Sequence, residues 1–197
     1  MDFVRIDLTK DGKQTWRSHE KDNVDAAIVP VNIDDTIFDI SAVPVEMFPT
    51  EQETKAQSIG DPVMSAGLLP GLTGKYRNYP MFKFGQISNI PSEDIQAGCG
   101  KGMPTFPVSV WLIAANLVFG NSGSPLFHVP LGGSGVMLGG TRPMLLGVQS
   151  FSFEGADIAG MTPIGYVYEI LQDLALPDAD LHRGSPPSTP PLSPPAK

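Results

Sequence analysis

With a single cysteine, Cys99, the 197-residue chain can close no internal disulfide and cannot assemble a cysteine-rich metal site. Long apolar runs are equally scarce. No segment approaches the ~20 apolar residues that a membrane-spanning helix requires. The first residues, MDFVRIDLTKDGK, show neither the basic start nor the apolar stretch of a signal peptide. Positive charge is in short supply too: 13 Lys and Arg stand against 21 Asp and Glu, a formal net charge of −8, with the two signs interspersed. Without a basic run or face, nucleic acid is a poor partner, and no membrane partner is implied. There is no internal repeat. A missing signal favours the cytoplasm by default, but the compartment stays open, because Met1 is expected to lie inside a longer reading frame.

Several motif-like stretches lack what their chemistry needs. GLTGKY, residues 71–76, would need Gly at 69 and Ser or Thr at 76 to cradle a phosphate, and Leu69 and Tyr76 stand there. LGGSGVMLGG, residues 131–140, lacks the G-x-G-x-x-G spacing and reads as a flexible hairpin loop. His19-Glu20 is followed at position 23 by Asn rather than a second His, so no zincin site exists. Cys99 in AGCGKG reads as a loop thiol. Asp178, Asp180 and His182 lie too close to a proline-rich end to suggest a metal. No metal and no organic cofactor are expected.

What the chain does have is 21 Gly and 20 Pro, which cut short apolar runs at close intervals, while 41% hydrophobic residues suffice for a packed core. That pattern predicts an all-β barrel or sandwich. Strands are expected at 3–8, 26–31, 62–66, 81–87, 108–113, 124–129 and 144–152. One helix is expected near the end, where Val167, Ile170, Leu171 and Leu174 fall at i, i+3, i+4 and i+7 on one face. Residues 32–60 are acidic, carry prolines and alternate little, which suits a connection between two sub-domains. The last residues, GSPPSTPPLSPPAK, have almost nothing to bury and should be disordered or polyproline-II, with weak potential for SH3- or WW-type contacts.

The informative stretch is VFGNSGSPLF, residues 118–127. On composition alone, G-N-S-G-S-P is as easily a small-residue turn, since Gly supplies positive φ. Its flanks say more: WLIAANLVF enters the turn, PLFHV leaves it as a strand, and PMLLGVQSFSF returns after a Gly-rich hairpin. The segment resembles the active-site loop of the chymotrypsin/trypsin-like serine peptidases, signature G-D-S-G-G-P, with Asn121 in place of Asp and Ser124 in place of the second Gly. The resemblance implies Ser122 as nucleophile and the N–H groups of Gly120 and Ser122 as an oxyanion hole, where one lost donor typically costs ~10²–10³ in turnover. Upstream, Asp25 before AAIV is similar to the family's catalytic aspartate ahead of its strand. It stands 97 positions before Ser122, close to the roughly ninety of the chymotrypsin arrangement. On its own Asp25 would read as a strand-entry or capping residue. Downstream, Ser150, Phe151 and Ser152 match the stretch whose backbone pairs with substrate, and the Ser150 hydroxyl is expected to contact the buried aspartate. Phe151 could equally be a core aromatic. Gly160 matches the wall of the specificity pocket, with a closing strand and a helix after it. GDPVMSAG, residues 60–67, and FKFGQIS resemble the opening strands of the second barrel.

The family's fold is a double β-barrel, and the resemblance implies residues 1–50 as a remnant of the first barrel plus connection. Residues 51–176 would form a complete second barrel with a C-terminal helix, and 177–197 the tail. Before Asn32 only two or three strands can be found, against the roughly six a barrel needs, and an open barrel exposes strand edges. The family's histidine turn is also absent. His19, six residues before Asp25, reads as a surface-loop residue. His128 lies six residues along a strand from Ser122, far beyond hydrogen-bond reach at ~3.3 Å per residue, and His182 borders the tail. The catalytic base is therefore expected outside this chain, through a longer reading frame or a truncated gene. Losing the triad histidine in subtilisin costs about 2 × 10⁶ in turnover. The expected function is a trypsin-like serine endopeptidase working through an acyl-enzyme on Ser122, impaired as it stands. The alternative is a pseudo-protease that binds extended peptides. Asn116, six residues before Ser122 where an acid would select Arg or Lys, gives no support for basic specificity.

Overall fold

Asp11 and Gly12, at φ 52° and 73°, make the first turn, and such an Asp-Gly pair matches the twist of a tight hairpin. It joins β1 (Thr9–Lys10) to β2 (Lys13–Gln14), with Lys10 facing Lys13. A second small hairpin pairs β3 (Arg17–Ser18) with β4 (Ala27–Ile28). In this computed structural model the described residues are 5–34, 36–38, 40–69, 72, 74–75, 78–98, 104–118, 120–129, 142–153 and 155–174. The expectations for Phe3 and Val4, Cys99, the 131–140 loop, Asp178, Asp180, His182 and the proline-rich tail lie outside them.

The segment expected to be a plain connection carries a 3₁₀ turn, Val45–Met47, and a short helix, α1 (Glu51–Lys55). Thr50 caps α1: its hydroxyl accepts the Glu53 N–H while the Glu53 carboxylate accepts the Thr50 N–H, a reciprocal capping box. The Thr50 N–H and the Thr50 hydroxyl both donate to the Glu53 carboxylate and, reinforced by the Arg142 guanidinium, hold that carboxyl below its ordinary range.

Six strands then close an antiparallel barrel: β5 (Pro62–Gly67), β6 (Met81–Asn89), β9 (Trp111–Ala114), β10 (Pro125–His128), β11 (Met144–Phe153) and β12 (Ile158–Pro163). A hairpin of β7 (Ile95–Gly98) and β8 (Thr105–Val108) forms a separate sheet, whose Ala97 and Val108 cluster with Leu112 and Phe151 of the barrel strands. Two three-stranded meanders, β5-β6-β9 and β10-β11-β12, join where β12 meets β9 and where β10 meets β5. Closure gives every barrel strand a partner on both sides over at least part of its length. The expected strand at 108–113 is two elements, interrupted at Ser109, whose N–H donates to the Asn23 carbonyl instead.

Alternation fills the barrel. Val63, Ile87, Ile113, Leu126, Leu146, Ala159 and Met161 meet inside, and Ile87 and Ile113 are wholly buried. Burying a side chain of that size is worth roughly 1.5–3 kcal/mol. The outer face of β10 and β11 offers Phe127 and Leu145 to Ile164 and Val167 of α2 (Ile164–Asp173) and to Met47 and Phe48. Of the expected apolar face, Val167 packs here and Ile170 is buried. Among the described residues one closed barrel is present, and β1–β4 form two separate two-stranded sheets. No helix of the described residues is long and apolar enough to cross a membrane.

Candidate active site

The Ser122 turn hangs between β9 and β10, and two glycines shape it. Gly120 has φ 91° and Gly123 φ 84°, a region that residues with side chains enter at a cost. The Gly123 N–H donates to Gln149 O at 2.7 Å, and the Gln149 N–H donates back to Ser124 O at 2.9 Å. The turn is thereby stitched to β11. Ser122 itself is exposed, and its hydroxyl donates to Ser150 O at 3.2 Å. Among the described residues the N–H groups of Gly120 and Ser122 have no hydrogen-bond acceptor. Between them Asn121 is buried, and its amide donates to Leu68 O at 2.9 Å. Gly67 makes room for this. A Cβ there would stand 2.4 Å from Ser124 Oγ and 3.0 Å from Asn121 Nδ2.

Ser150 sits at a β-bulge. Gln149 pairs with Met161 and Phe151 with Gly160, so Ser150 is the extra residue, and a bulge of this kind re-aims a side chain. Its hydroxyl meets Thr162 Oγ1 at 2.5 Å, and Thr162 Oγ1 donates to the Asp25 carbonyl at 3.0 Å. Asp25 is thus two hydrogen bonds from the residue that receives Ser122. The link differs from the expected one in two respects: it uses the Asp25 main chain through Thr162, and the aspartate is exposed rather than buried.

Phe151 lies directly on Gly160, where a Cβ would come within 2.5 Å of the ring, and it makes an edge-on contact with Phe153 at 5.2 Å. Ser152 pairs with Ala159. β10 accompanies β11 only as far as Val148, so residues 150–153 have a strand partner on one side alone among the described residues. Asn116 is exposed.

The histidines lie elsewhere. His19 is not a surface-loop residue: it is 7% exposed and held on α2. Its Nδ1 accepts the Lys21 N–H at 3.1 Å, so its proton sits on Nε2 and donates to Glu169 Oε2 at 2.7 Å. Tyr166 packs edge-on against the ring at 5.2 Å. His128 pairs with Val63 of the core, and its Nδ1 is buried with no partner. Burial lowers its pKa below 6.5, opposed by the charge of Asp61. No described histidine bonds Ser122 or Asp25.

Compared with known proteins, the chain matches no family model and no curated protein sequence.

A groove of about 980 Å³ runs between residues 45–55 and α2, past Phe48, Trp111 and Tyr168, and Ser122 does not line it. Arg142 on its wall is committed to Glu53 and to the Glu46 and Phe48 carbonyls. Of the expected site residues, Asp25, Gly120, Ser150, Phe151, Ser152 and Gly160 do not line it either. Among the described residues no three His, Cys, Asp or Glu side chains gather to hold a metal.

Two residues of the site escaped sequence reasoning. Thr162 is a lone hydroxyl in the buried strand IAGMTP and had to find a partner there. Lys83 alternates in register with Gly85 and Ile87, which placed it on the inward face.

Proposed function

We propose that the chain is a trypsin-like serine hydrolase acting on peptide bonds, with Ser122 as the nucleophile. The observation that supports this best is the exposed Ser122 hydroxyl on a turn flanked by positive-φ glycines, beside two N–H groups without acceptors. Ser122 Oγ would attack the scissile carbonyl and lose its proton to a base. The N–H groups of Gly120 and Ser122 would take the oxyanion, and as the C–N bond breaks the base would return the proton to the leaving amine, giving the acyl-enzyme. Asp25 is the orienting carboxylate in this reading. Residues 150–152 would pair with the substrate backbone, with Phe151 and Gly160 at its side chain. A six-stranded closed barrel carrying the serine turn is what the family's second barrel requires. The double-barrel architecture belongs to the same proposal.

The base lies outside the described residues. Without it the oxyanion hole and binding alone leave a residual ~10³–10⁴ over water. A second reading gains weight from that: a peptide-binding module that captures an extended segment along the free side of residues 150–153. A fluorophosphonate probe separates the two. Labelling located at Ser122 by mass spectrometry, and lost in Ser122→Ala, supports the hydrolase. A wild-type chain that never labels but binds extended peptides puts the module first.

A further inference from the structure

The buried amide of Asn121 has a second anchor. Its Oδ1 accepts from Lys83 Nζ at 3.5 Å. Lys83 faces inward, since it pairs with Ser65, and Ser65 with the core residue Leu126. An ammonium on the inner face of a barrel strand is costly unless an acceptor meets it, and the residue that meets it stands next to Ser122. Asn121 fixes the peptide plane that carries the Ser122 N–H, so whatever holds its amide holds that N–H as well. Gly67 lets the turn sit low enough for the contact.

We propose that Lys83 is a positioning residue for the serine turn, its ammonium locking Asn121 and adding positive charge one residue from Ser122. It is not assigned to proton transfer, because the Ser122 hydroxyl donates to Ser150 O. The catalytic consequence rests on the hydrolase reading; the anchoring does not. A misplacement of the order of 1 Å at such a site can cost about 10²-fold in rate.

Two measurements on the full chain test this: hydrogen exchange of residues 117–126 and the fluorophosphonate labelling rate at Ser122. Lys83→Met should speed exchange of that segment about tenfold while leaving the β9–β12 amides unchanged. It should slow labelling by about 10- to 100-fold. Lys83→Arg should restore both to within about threefold, since a cation is what matters. Lys83→Met with Asn121→Ala should be no worse than Asn121→Ala alone. Exchange and labelling that ignore Lys83→Met, or effects that simply add in the double variant, overturn the inference. If Lys83→Met does not fold, Lys83→Gln decides, since it keeps a polar side chain without the charge and leaves the Asn121 bond to Leu68 O in place: exchange of the segment must still quicken, and unchanged exchange refutes the anchor. A wild-type chain that never labels, with exchange that still responds to Lys83, removes the hydrolase and leaves the anchor. Unchanged exchange with normal labelling does the reverse.

Discussion

Thr162→Val is the sharpest perturbation of the link between Asp25 and Ser122. Thr162 is wholly buried, and its one hydroxyl proton goes to the Asp25 carbonyl at 3.0 Å. It must therefore accept from Ser150 Oγ, 2.5 Å away. Valine keeps the shape and deletes both bonds. A hydrogen bond nets roughly 0.5–1.5 kcal/mol, and a buried group left unpaired costs about 1–3 kcal/mol. Asp25 is exposed, so its carbonyl has recourse to water and falls at the low end. The sum for Thr162→Val is about 1–3 kcal/mol, or about 2–12 °C in a chain of this size. Ser150→Ala removes one bond and leaves Thr162 its bond to Asp25, so it should cost about 0.5–1.5 kcal/mol. The double variant should match Thr162→Val to within about 0.5 kcal/mol, because the Ser150–Thr162 bond can be lost only once. Urea unfolding of the four proteins reads all of this. A Thr162→Val midpoint equal to wild type, or additive single effects, would refute the relay.

Gly67→Ala should disturb the serine turn directly, since the new Cβ would meet Ser124 Oγ at 2.4 Å and Asn121 Nδ2 at 3.0 Å. Ser124 Oγ can rotate away but the buried Asn121 amide cannot, so about 1–3 kcal/mol of stability should be lost. Unchanged thermal stability would show that the turn is looser than its contacts. His128 predicts a pH dependence. Its folded pKa is pushed below 6.5 by burial, so the unfolded chain takes up the proton first. Stability should then fall as pH drops through about 6.5, with no contribution from this group well above that value. His128→Leu should flatten the curve in that window in pH-dependent denaturant titrations, and an unaltered slope would contradict its buried neutral state.

The barrel was legible where a strand shows its period. Pro62–Gly67, Met81–Asn89, Pro125–His128 and Met144–Phe153 fall where alternation and flanking Gly and Pro placed them, to within a residue or two. The helix at 164–173 was legible through its apolar spacing, of which Val167 packs on the barrel and Ile170 is buried. Shorter elements were not. At five residues α1 is too brief to show a period, although Thr50 and Glu53 already spelled its capping box. His19 was misread because its partners, Glu169 and Tyr166, lie about 150 residues away in the chain, and local composition around a histidine is silent about them. At the site, the glycines and the serine announced the turn, while Ser150 was singled out only through the family resemblance. The Thr162 bridge did not, because a buried threonine in a strand looks like any β-branched filler until its neighbour is known.

The proton of Ser122 ties these strands together. In the described residues it points at the Ser150 carbonyl, an acceptor that cannot carry it away. His19 is no reserve base, since both ring nitrogens are already committed, one to the Lys21 N–H and one to Glu169. Turning it toward Ser122 would break two bonds and empty a buried site. His128 is held on the inward face of the barrel wall by its pairing with Val63. On the hydrolase reading, the described residues would supply the part of acyl transfer that needs no proton acceptor: a turn fixed from below by Asn121, two N–H groups with no described acceptor, and a strand with one side open. On that reading a base would lower the barrier by roughly 8–9 kcal/mol, from the subtilisin histidine loss at 1.36 kcal/mol per decade. It would have to reach Ser122 Oγ from a direction other than that of the Ser150 carbonyl. Both Ser122 and Asp25 are exposed, so neither is shut away from such a group.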